Sequence, residues 1–217
     1  HPDIEYFITA KDDLTQLTNF NISVMLDDKF MEAVESDGDY ELIDPHTRQV
    51  VRAVKAKELF DKIAYHAWKT GEPGVLFIDT ANRYNKIKHI GLFKATNPCA
   101  EIWLLDYEVC NLGSINLDKM ISHINGKAEI NWEKLRETTR KAIHFLDNVI
   151  DAREYPTQDI TRMAKKTRRI GLGILGFADI LYQLGLSYSS EEGRMIASEV
   201  MRVIDEENER IDRQNED

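Results

Sequence analysis

Three observations predict an α/β fold. Short runs such as Val75–Ile78 are apolar throughout and read as buried strands. Longer segments such as 57–69 carry apolar residues at helical spacing. The two kinds mix along the chain, with no internal repeat, low-complexity run or Pro/Gly/Ser linker between them.

The elements follow in order. Residues 3–9 read as a short helix. Residues 18–26, TNFNISVML, read as a strand in which Phe20, Ile22, Val24 and Leu26 alternate with Asn19, Asn21 and Ser23. Asp27 is placed to cap a helix carrying Phe30, Met31 and Val34, ended by Gly38. Tyr40–Ile43 and Gln49–Val54, split by Asp44-Pro45-His46-Thr47, make a predicted hairpin. Lys57 to Lys69 is a predicted helix with Leu59, Phe60, Ile63, Ala64 and Ala67 on one stripe, stopped by Gly71 and Pro73. The strand Val75–Ile78 leads into Asp79-Thr80-Ala81-Asn82-Arg83, a polar turn or helix start. Gly91–Thr96 runs into a loop tip, and Val109–Leu117 leaves it. Asn125-Gly126 marks a tight turn. Asn131 caps a long helix with Leu135, Ala142, Leu146 and Val149 on one face, and Pro156 follows its end. Arg169–Leu175 reads as a second buried strand, and Phe177–Leu184 as a helix ended by Gly185. Ser189 or Ser190 caps a last helix bearing Ile196, Val200, Ile204 and Ile211, charged nearly all round in its later part, Glu206 to Asp217.

The net charge of −10 argues against a nucleic-acid partner, which needs a basic footprint. It leaves a nucleotide-sized ligand open, because a small ligand needs only a local positive site. Two cysteines in 217 residues are no disulfide scaffold and point to a reducing, cytoplasmic compartment. No apolar run reaches the roughly 18 residues of a membrane span, and no signal peptide is visible, so no membrane partner is expected. His1 is not an initiator, and the sequence reads as a segment of a longer protein. The six histidines show no paired spacing, so no protein metal site is expected.

Both cysteines lie in one stretch, Asn97-Pro98-Cys99-Ala100-Glu101 followed by Cys110-Asn111-Leu112-Gly113-Ser114-Ile115-Asn116-Leu117. In an extended tip, side chains two apart share a face. Asn97, Cys99 and Glu101 can then face one pocket, with Pro98 stiffening the tip. A carboxylate can take a proton from a hydroxyl, and an amide can hydrogen-bond a polar substrate. A thiol can be a nucleophile, a redox group or a radical carrier, though by default it is a buried small hydrophobe. Spacing alone does not choose among these. Leu112, Gly113 and Ser114 follow the second thiol; small residues there let a ligand approach the backbone, and plain strand packing explains them equally. Asn19 and Asn21 face either a site or solvent. Lys165-Lys166-Thr167-Arg168-Arg169 reads as a solvated basic face rather than a phosphate site. Gly171, Gly173 and Gly176 satisfy G-x-G-x-x-G, but the strand signal runs through the glycines and a helix stands where the next strand should be. No dinucleotide site is expected.

The words NPCAE and CNLGSINL resemble the finger loop and following strand of the ribonucleotide reductase catalytic subunit. HPDIEYF, LTNFNISV, DDKFMEAV, VKAKELFDKIA, GEPGVLFIDTANRYN and KKTRRIGLGILGFADIL resemble further blocks of that family, in the same order. The short gap between the cysteines resembles the adenosylcobalamin-dependent (class II) branch, and the blocks resemble its dimeric, diphosphate-reducing members. The resemblance implies a ten-stranded α/β barrel with Cys99 on a finger loop inside it. Residues 1–217 would be one partial barrel domain, about half of the whole, truncated at both ends relative to the family. Cys99 would carry the thiyl radical that abstracts the ribose 3′ hydrogen. Glu101 would be the base on the 3′ hydroxyl, and Asn97 would hydrogen-bond the ribose hydroxyls. Cys110 would be one of two thiols that reduce the 2′ carbon, its partner lying upstream of residue 1, so the isolated fragment is expected not to complete a turnover. Leu112, Gly113 and Ser114 would line the substrate pocket. Implied partners are the ribonucleotide, the remaining N- and C-terminal parts of the enzyme, a thioredoxin-like or dithiol reductant, and a second copy in a homodimer. Ala100, Ile102 and Trp103 depart from the Gly-Glu-Gln-Pro more usual in this branch. A Glu-Ile pair is common in the iron-dependent class I branch, whose radical comes from an iron-containing partner subunit, and that branch stays open as the alternative. A non-catalytic piece that only assembles with complementary fragments is the other.

Overall fold

The computed structural model describes residues 1–215, with side chains described as far as Arg210. Ile211, expected on the last apolar face, and Glu216 and Asp217, expected in the last charged run, lie outside what is described. The chain divides into two compact units, His1–Asp106 and Tyr107–Asp217.

In the first unit the order is α1 (Ile4–Thr9), β1 (Ser23–Leu26), α2 (Asp28–Glu35), β2 (Asp39–Ile43), β3 (Val50–Lys55), α3 (Ala56–Thr70), β4 (Gly74–Phe77), α4 (Ile78–Arg83), β5 (Ala95–Thr96) and β6 (Trp103–Leu104). β1 and β4 pair in parallel, with Val24 opposite Val75. β2 and β3 form the expected antiparallel hairpin. Ile8, Val24, Leu26, Phe30, Leu59 and Ile63 make the core, so the alternation of β1 and the stripe of α3 both face inward. The Asp27 carboxylate caps α2 by accepting from the Phe30 N–H at 2.7 Å, and it also accepts from the Tyr40 hydroxyl at 2.9 Å. Burial, then the Asp27 carboxylate, pushes the Tyr40 phenol up to about 12.

Four expectations change here. The strand expected over 18–26 is ordered as a strand only from Ser23. Ahead of it, side chains rather than a ladder satisfy the backbone. The Lys11 ammonium donates to the Leu17 and Phe20 carbonyls at 2.6 Å each, and Glu72 accepts from the Ile22 N–H at 2.9 Å. α2 ends through Asp37 in the left-handed region (φ 53°), with the Gly38 N–H donating back to the Ala33 carbonyl at 2.8 Å. β4 buries only Leu76, because β1 is its one ladder neighbour among the described residues and its other face is open. On α3, Ala64 is exposed, and His66 is buried in the stripe instead.

In the second unit the order is β7 (Asn111–Asn116), a 3₁₀ turn (Leu117–Met120), β8 (Ile121–Ile124), β9 (Lys127–Ile130), α5 (Trp132–Ala152), α6 (Gln158–Thr167), β10 (Ile170–Leu175), α7 (Phe177–Leu184) and α8 (Glu191–Asn215). β7 and β10 pair in parallel, with Leu112 opposite Gly171. Asn125 and Gly126, at φ 52° and 78°, make the two-residue turn of the β8–β9 hairpin. Asn131 caps α5 through the Lys134 N–H at 2.9 Å, and Ser190 caps α8 through the Gly193 N–H at 3.0 Å. Ile115, Leu117, Leu135, Ile180, Val200 and Val203 form the core. Glu207 is buried between Arg136 and Arg140, 3.1 and 3.0 Å away. Burial raises its carboxyl, and the two guanidiniums more than offset that and hold it below the usual range.

The helix α6 was not expected. Its cap is Thr157, which accepts from the Ile160 N–H at 3.3 Å. β10 is half-buried to exposed rather than buried, since its outer face carries no covering element among the described residues. The strand does run through Gly171 and Gly173, and α7 is followed by α8, an order unlike the strand–helix–strand unit of a dinucleotide fold. The class is mixed α/β. The described strands form five two-stranded pairs and no closed barrel. No helix of the described residues is long and apolar enough to cross a membrane.

Candidate functional site

β5 and β6 pair antiparallel, Ala95 opposite Leu104 and Thr96 opposite Trp103, with the Phe93 and Trp103 rings stacked at 6.4 Å. Residues 97–102 form the tip between them. The Asn97 N–H donates to the Ile102 carbonyl at 3.3 Å, and its side-chain Oδ1 accepts from the Ile102 N–H at 3.1 Å. The Ala100 N–H donates to the Asn97 carbonyl at 3.0 Å. Ala100 sits at φ 65°, a left-handed conformation that costs a residue with a Cβ roughly 1–2 kcal/mol. The strand alternation therefore stops at Thr96, and a tight turn carries the three candidate side chains. Asn97 is half-buried and uses its carbonyl end to close the turn. Cys99 and Glu101 are exposed. The Asn21 side-chain amide donates to the Pro98 carbonyl at 3.1 Å.

Cys110 belongs to the second unit. It stands one residue ahead of β7, and β6 intervenes between it and the tip, so the tip is not left by a single strand over 109–117. Its half-buried thiol donates to the Asn111 carbonyl at 3.6 Å. Asn111, Gly113 and Ile115 turn towards the unit's interior: the Asn111 amide donates to the Leu146 carbonyl at 3.2 Å, and a Cβ on Gly113 would stand 3.4 Å from the Leu146 side chain. Leu112 and Ser114 are exposed on the opposite face. A Cβ on Gly171 would lie 2.6 Å from Leu112 and 3.5 Å from the Cys110 sulfur, so the glycine leaves the space beside that thiol open. Just before the thiol, the buried Glu108 carboxylate accepts from Arg169 Nε at 2.8 Å. Arg168 pairs with Asp147 and Asp151, both at 2.8 Å. Those two carboxylates hold its guanidinium above the usual range. The basic cluster over 165–169 is therefore only partly a solvated face. Among the described residues, no group of three or more His, Cys, Asp or Glu side chains is placed to hold a metal.

The family model for the ribonucleotide reductase barrel domain matches residues 1–208. The chain belongs to this family. It is 45% identical over 208 residues to a vitamin B12-dependent ribonucleoside-diphosphate reductase of Thermoplasma acidophilum, covering 95% of this chain and 27% of that protein. It is 44% identical over 205 residues to the protein of the same name in Mycobacterium tuberculosis, covering 94% and 29%. A vitamin B12-dependent ribonucleotide reductase of Streptomyces clavuligerus is 33% identical over 228 residues, covering 94% and 24%. The chain thus spans about a quarter of the length of these curated relatives.

For this reductase-family chain, the structure places Asn97, Cys99 and Glu101 on one turn and puts Cys110, Leu112, Gly113 and Ser114 at β7 of the other unit. Two features escaped the sequence reading: the tie from Asn21 to the turn, and the Glu108–Arg169 pair beside Cys110. Asn21 carried a signal, an amide on the polar side of an apolar run. Glu108 and Arg169 carried none, being two charged residues 61 positions apart.

Proposed function

We propose that the protein containing this chain reduces ribonucleoside diphosphates to 2′-deoxyribonucleotides by thiyl-radical chemistry, as an adenosylcobalamin-dependent enzyme. The observation that carries the reading is an exposed Cys99 thiol on a turn fixed at Asn97 and Pro98, in a chain 45% identical to a protein named for B12 dependence. A radical carrier has to reach the thiol, and exposure at a tip fits that need. Adenosylcobalamin, when bound, supplies a carbon-centred radical able to take a thiol hydrogen; Cys99 is the residue of this chain that would meet it.

The chain's own residues then divide the sugar chemistry. The Cys99 thiyl takes the ribose 3′ hydrogen and later returns it, so the radical is conserved. Glu101 accepts the 3′ hydroxyl proton. The NH₂ end of Asn97, whose carbonyl end closes the turn, donates to ribose hydroxyl oxygens. The 2′ hydroxyl leaves as water. Cys110 and a second thiol from elsewhere in the enzyme give two electrons and two protons and become a disulfide. A dithiol or thioredoxin-like protein in a reducing cytoplasm restores the pair. Leu112, Ser114 and the backbone at Gly113 line the substrate side of β7, where Gly171 keeps the approach open. Residues 1–217 form part of a single ten-stranded barrel domain. That β1–β4 and β7–β10 are isolated two-stranded parallel pairs among the described residues supports this, since parallel strands normally belong to sheets covered on both faces. The rest of the barrel and a second copy complete the enzyme.

The test is reduction of CDP by the complete protein with a dithiol, with and without adenosylcobalamin. Turnover that requires the cofactor is the expected result. Turnover without it, restored by an iron-containing subunit, would move the protein to the iron-dependent branch. A folded protein inactive in both arms would favour the non-catalytic assembly piece.

A further inference from the structure

We infer that Asn21 is a positioning residue for Cys99, held in place by the Lys11–Glu72 ion pair; the inference rests on the reading of Cys99 given above. The Asn21 side chain donates to the Pro98 carbonyl across 77 positions of sequence. That carbonyl belongs to the peptide group joining Pro98 to Cys99. Fixing its plane fixes the direction in which the Cys99 Cα–Cβ bond leaves the turn.

Asn21 is itself held from both sides. The peptide before it is fixed at the Phe20 carbonyl, which accepts from Lys11 Nζ at 2.6 Å. The peptide after it is fixed at the Ile22 N–H, which donates to Glu72 Oε1 at 2.9 Å. Lys11 and Glu72 are joined to each other at 3.1 Å, with the Lys11 side chain only 9% exposed. One ion pair, its lysine buried and its glutamate half-buried, thus clamps both peptide groups flanking an exposed asparagine.

The turn needs such support. Ala100, directly after Cys99, holds a left-handed backbone that a residue with a Cβ adopts only when its surroundings impose it. Asn97 and Ile102 close the turn across its base, and Asn21 holds its apex. Hydrogen transfer between a sulfur radical and a sugar carbon depends steeply on their separation, so an exposed thiol on an unsupported turn would be a poor reagent. The polar side chain at position 21 therefore does more than solvate a strand end.

The experiment compares Asn21→Leu, Asn21→Ser and Asn21→Gln with the wild type in the complete enzyme. Hydrogen exchange is read over residues 97–103, together with kcat and KM. For Asn21→Leu, exchange at the Ala100 and Ile102 amides rises about ten-fold, as loss of one hydrogen bond gives, with the α3 amides unchanged. Its kcat falls about ten-fold or more while KM stays within about two-fold. Asn21→Gln, which keeps an amide donor, recovers part of both effects. Should Asn21→Leu disturb the fold, seen as faster exchange in α3, the smaller Asn21→Ser carries the same expectation. Exchange over 97–103 equal to the wild type in a variant lacking the amide overturns the inference, whatever the activity. Activity surviving in Cys99→Ser overturns instead the reading of Cys99 on which it rests.

Discussion

Replacing Glu72 by Gln should loosen the segment ahead of β1 without unfolding the unit. Removing one partner of a buried ion pair costs about 3–5 kcal/mol when the other charge is left stranded. Here Lys11 keeps the Leu17 and Phe20 carbonyls at 2.6 Å each, and Glu72 is already 26% exposed, so water can reach the site. The new amide also retains an oxygen for the Ile22 N–H. The loss should therefore fall to about 1–3 kcal/mol. Native-state hydrogen exchange at the Ile22 amide reads this directly, as opening roughly 5- to 150-fold more frequent, with amides of α5 as the internal reference. The pH dependence gives a second check. Burial raises the Glu72 carboxyl, but the Ile22 N–H and the Lys11 ammonium more than offset it and leave it below the usual carboxylate range. A carboxyl depressed in the folded state stabilises above its unfolded value of about 4.3, and that contribution is lost as pH falls through the lower folded value. Glu72→Gln should lack this acid-induced loosening. Exchange at Ile22 matching the wild type in both rate and acid dependence would refute the clamp.

Other expected outcomes follow from the two cores and the caps. Leu135 is fully buried, so Leu135→Ala should cost about 2–5 kcal/mol, read as faster exchange along α5. Gly176 has φ 76° and a Cβ there would stand 2.9 Å from Asn116 Oδ1, whereas Gly185 has φ 70° with nothing within 4 Å. Gly185→Ala should therefore lose only the backbone contribution of roughly 1–2 kcal/mol, and Gly176→Ala should lose measurably more in the same urea titration. Tyr40 should ionise near about 12 in a spectrophotometric titration, and Asp27→Asn should lower that value. Because the folded phenol is the weaker acid, its contribution to stability is complete below the unfolded value near 10 and disappears as pH rises through about 12.

The elements legible in the sequence were those with local causes. Asp27, Asn131 and Ser190 cap helices because a short oxygen-bearing side chain reaches the N–H three residues on. Gly71 and Gly185 end helices at positive φ, and Asn125-Gly126 turns a hairpin. The features that differ from the sequence expectation have distant causes. The segment at 18–22 alternates like a strand, yet Lys11 and Glu72 satisfy its backbone, and nothing local announces that Glu72 folds back onto Ile22. β4 and β10 look buried by composition, but burial depends on what covers a second face. α6 is hard to see in the sequence because its half-buried residues are spread among charges. The candidate site was legible as a set of residue types on one loop. Its shape was not, since a left-handed alanine and an amide arriving from Asn21 leave no mark on local spacing.

The most direct measurement separates the first chemical step from the last, using the complete protein with substrate labelled at the 3′ hydrogen. Under the proposed mechanism, Cys110→Ser should still disturb the 3′ position in a Cys99-dependent way while forming no deoxynucleotide, because it leaves the proposed radical thiol intact and breaks the proposed reducing pair. Cys99→Ser should do neither. Loss of the 3′ label, or deoxynucleotide formation, persisting in Cys99→Ser would contradict the assignment of the radical to this turn.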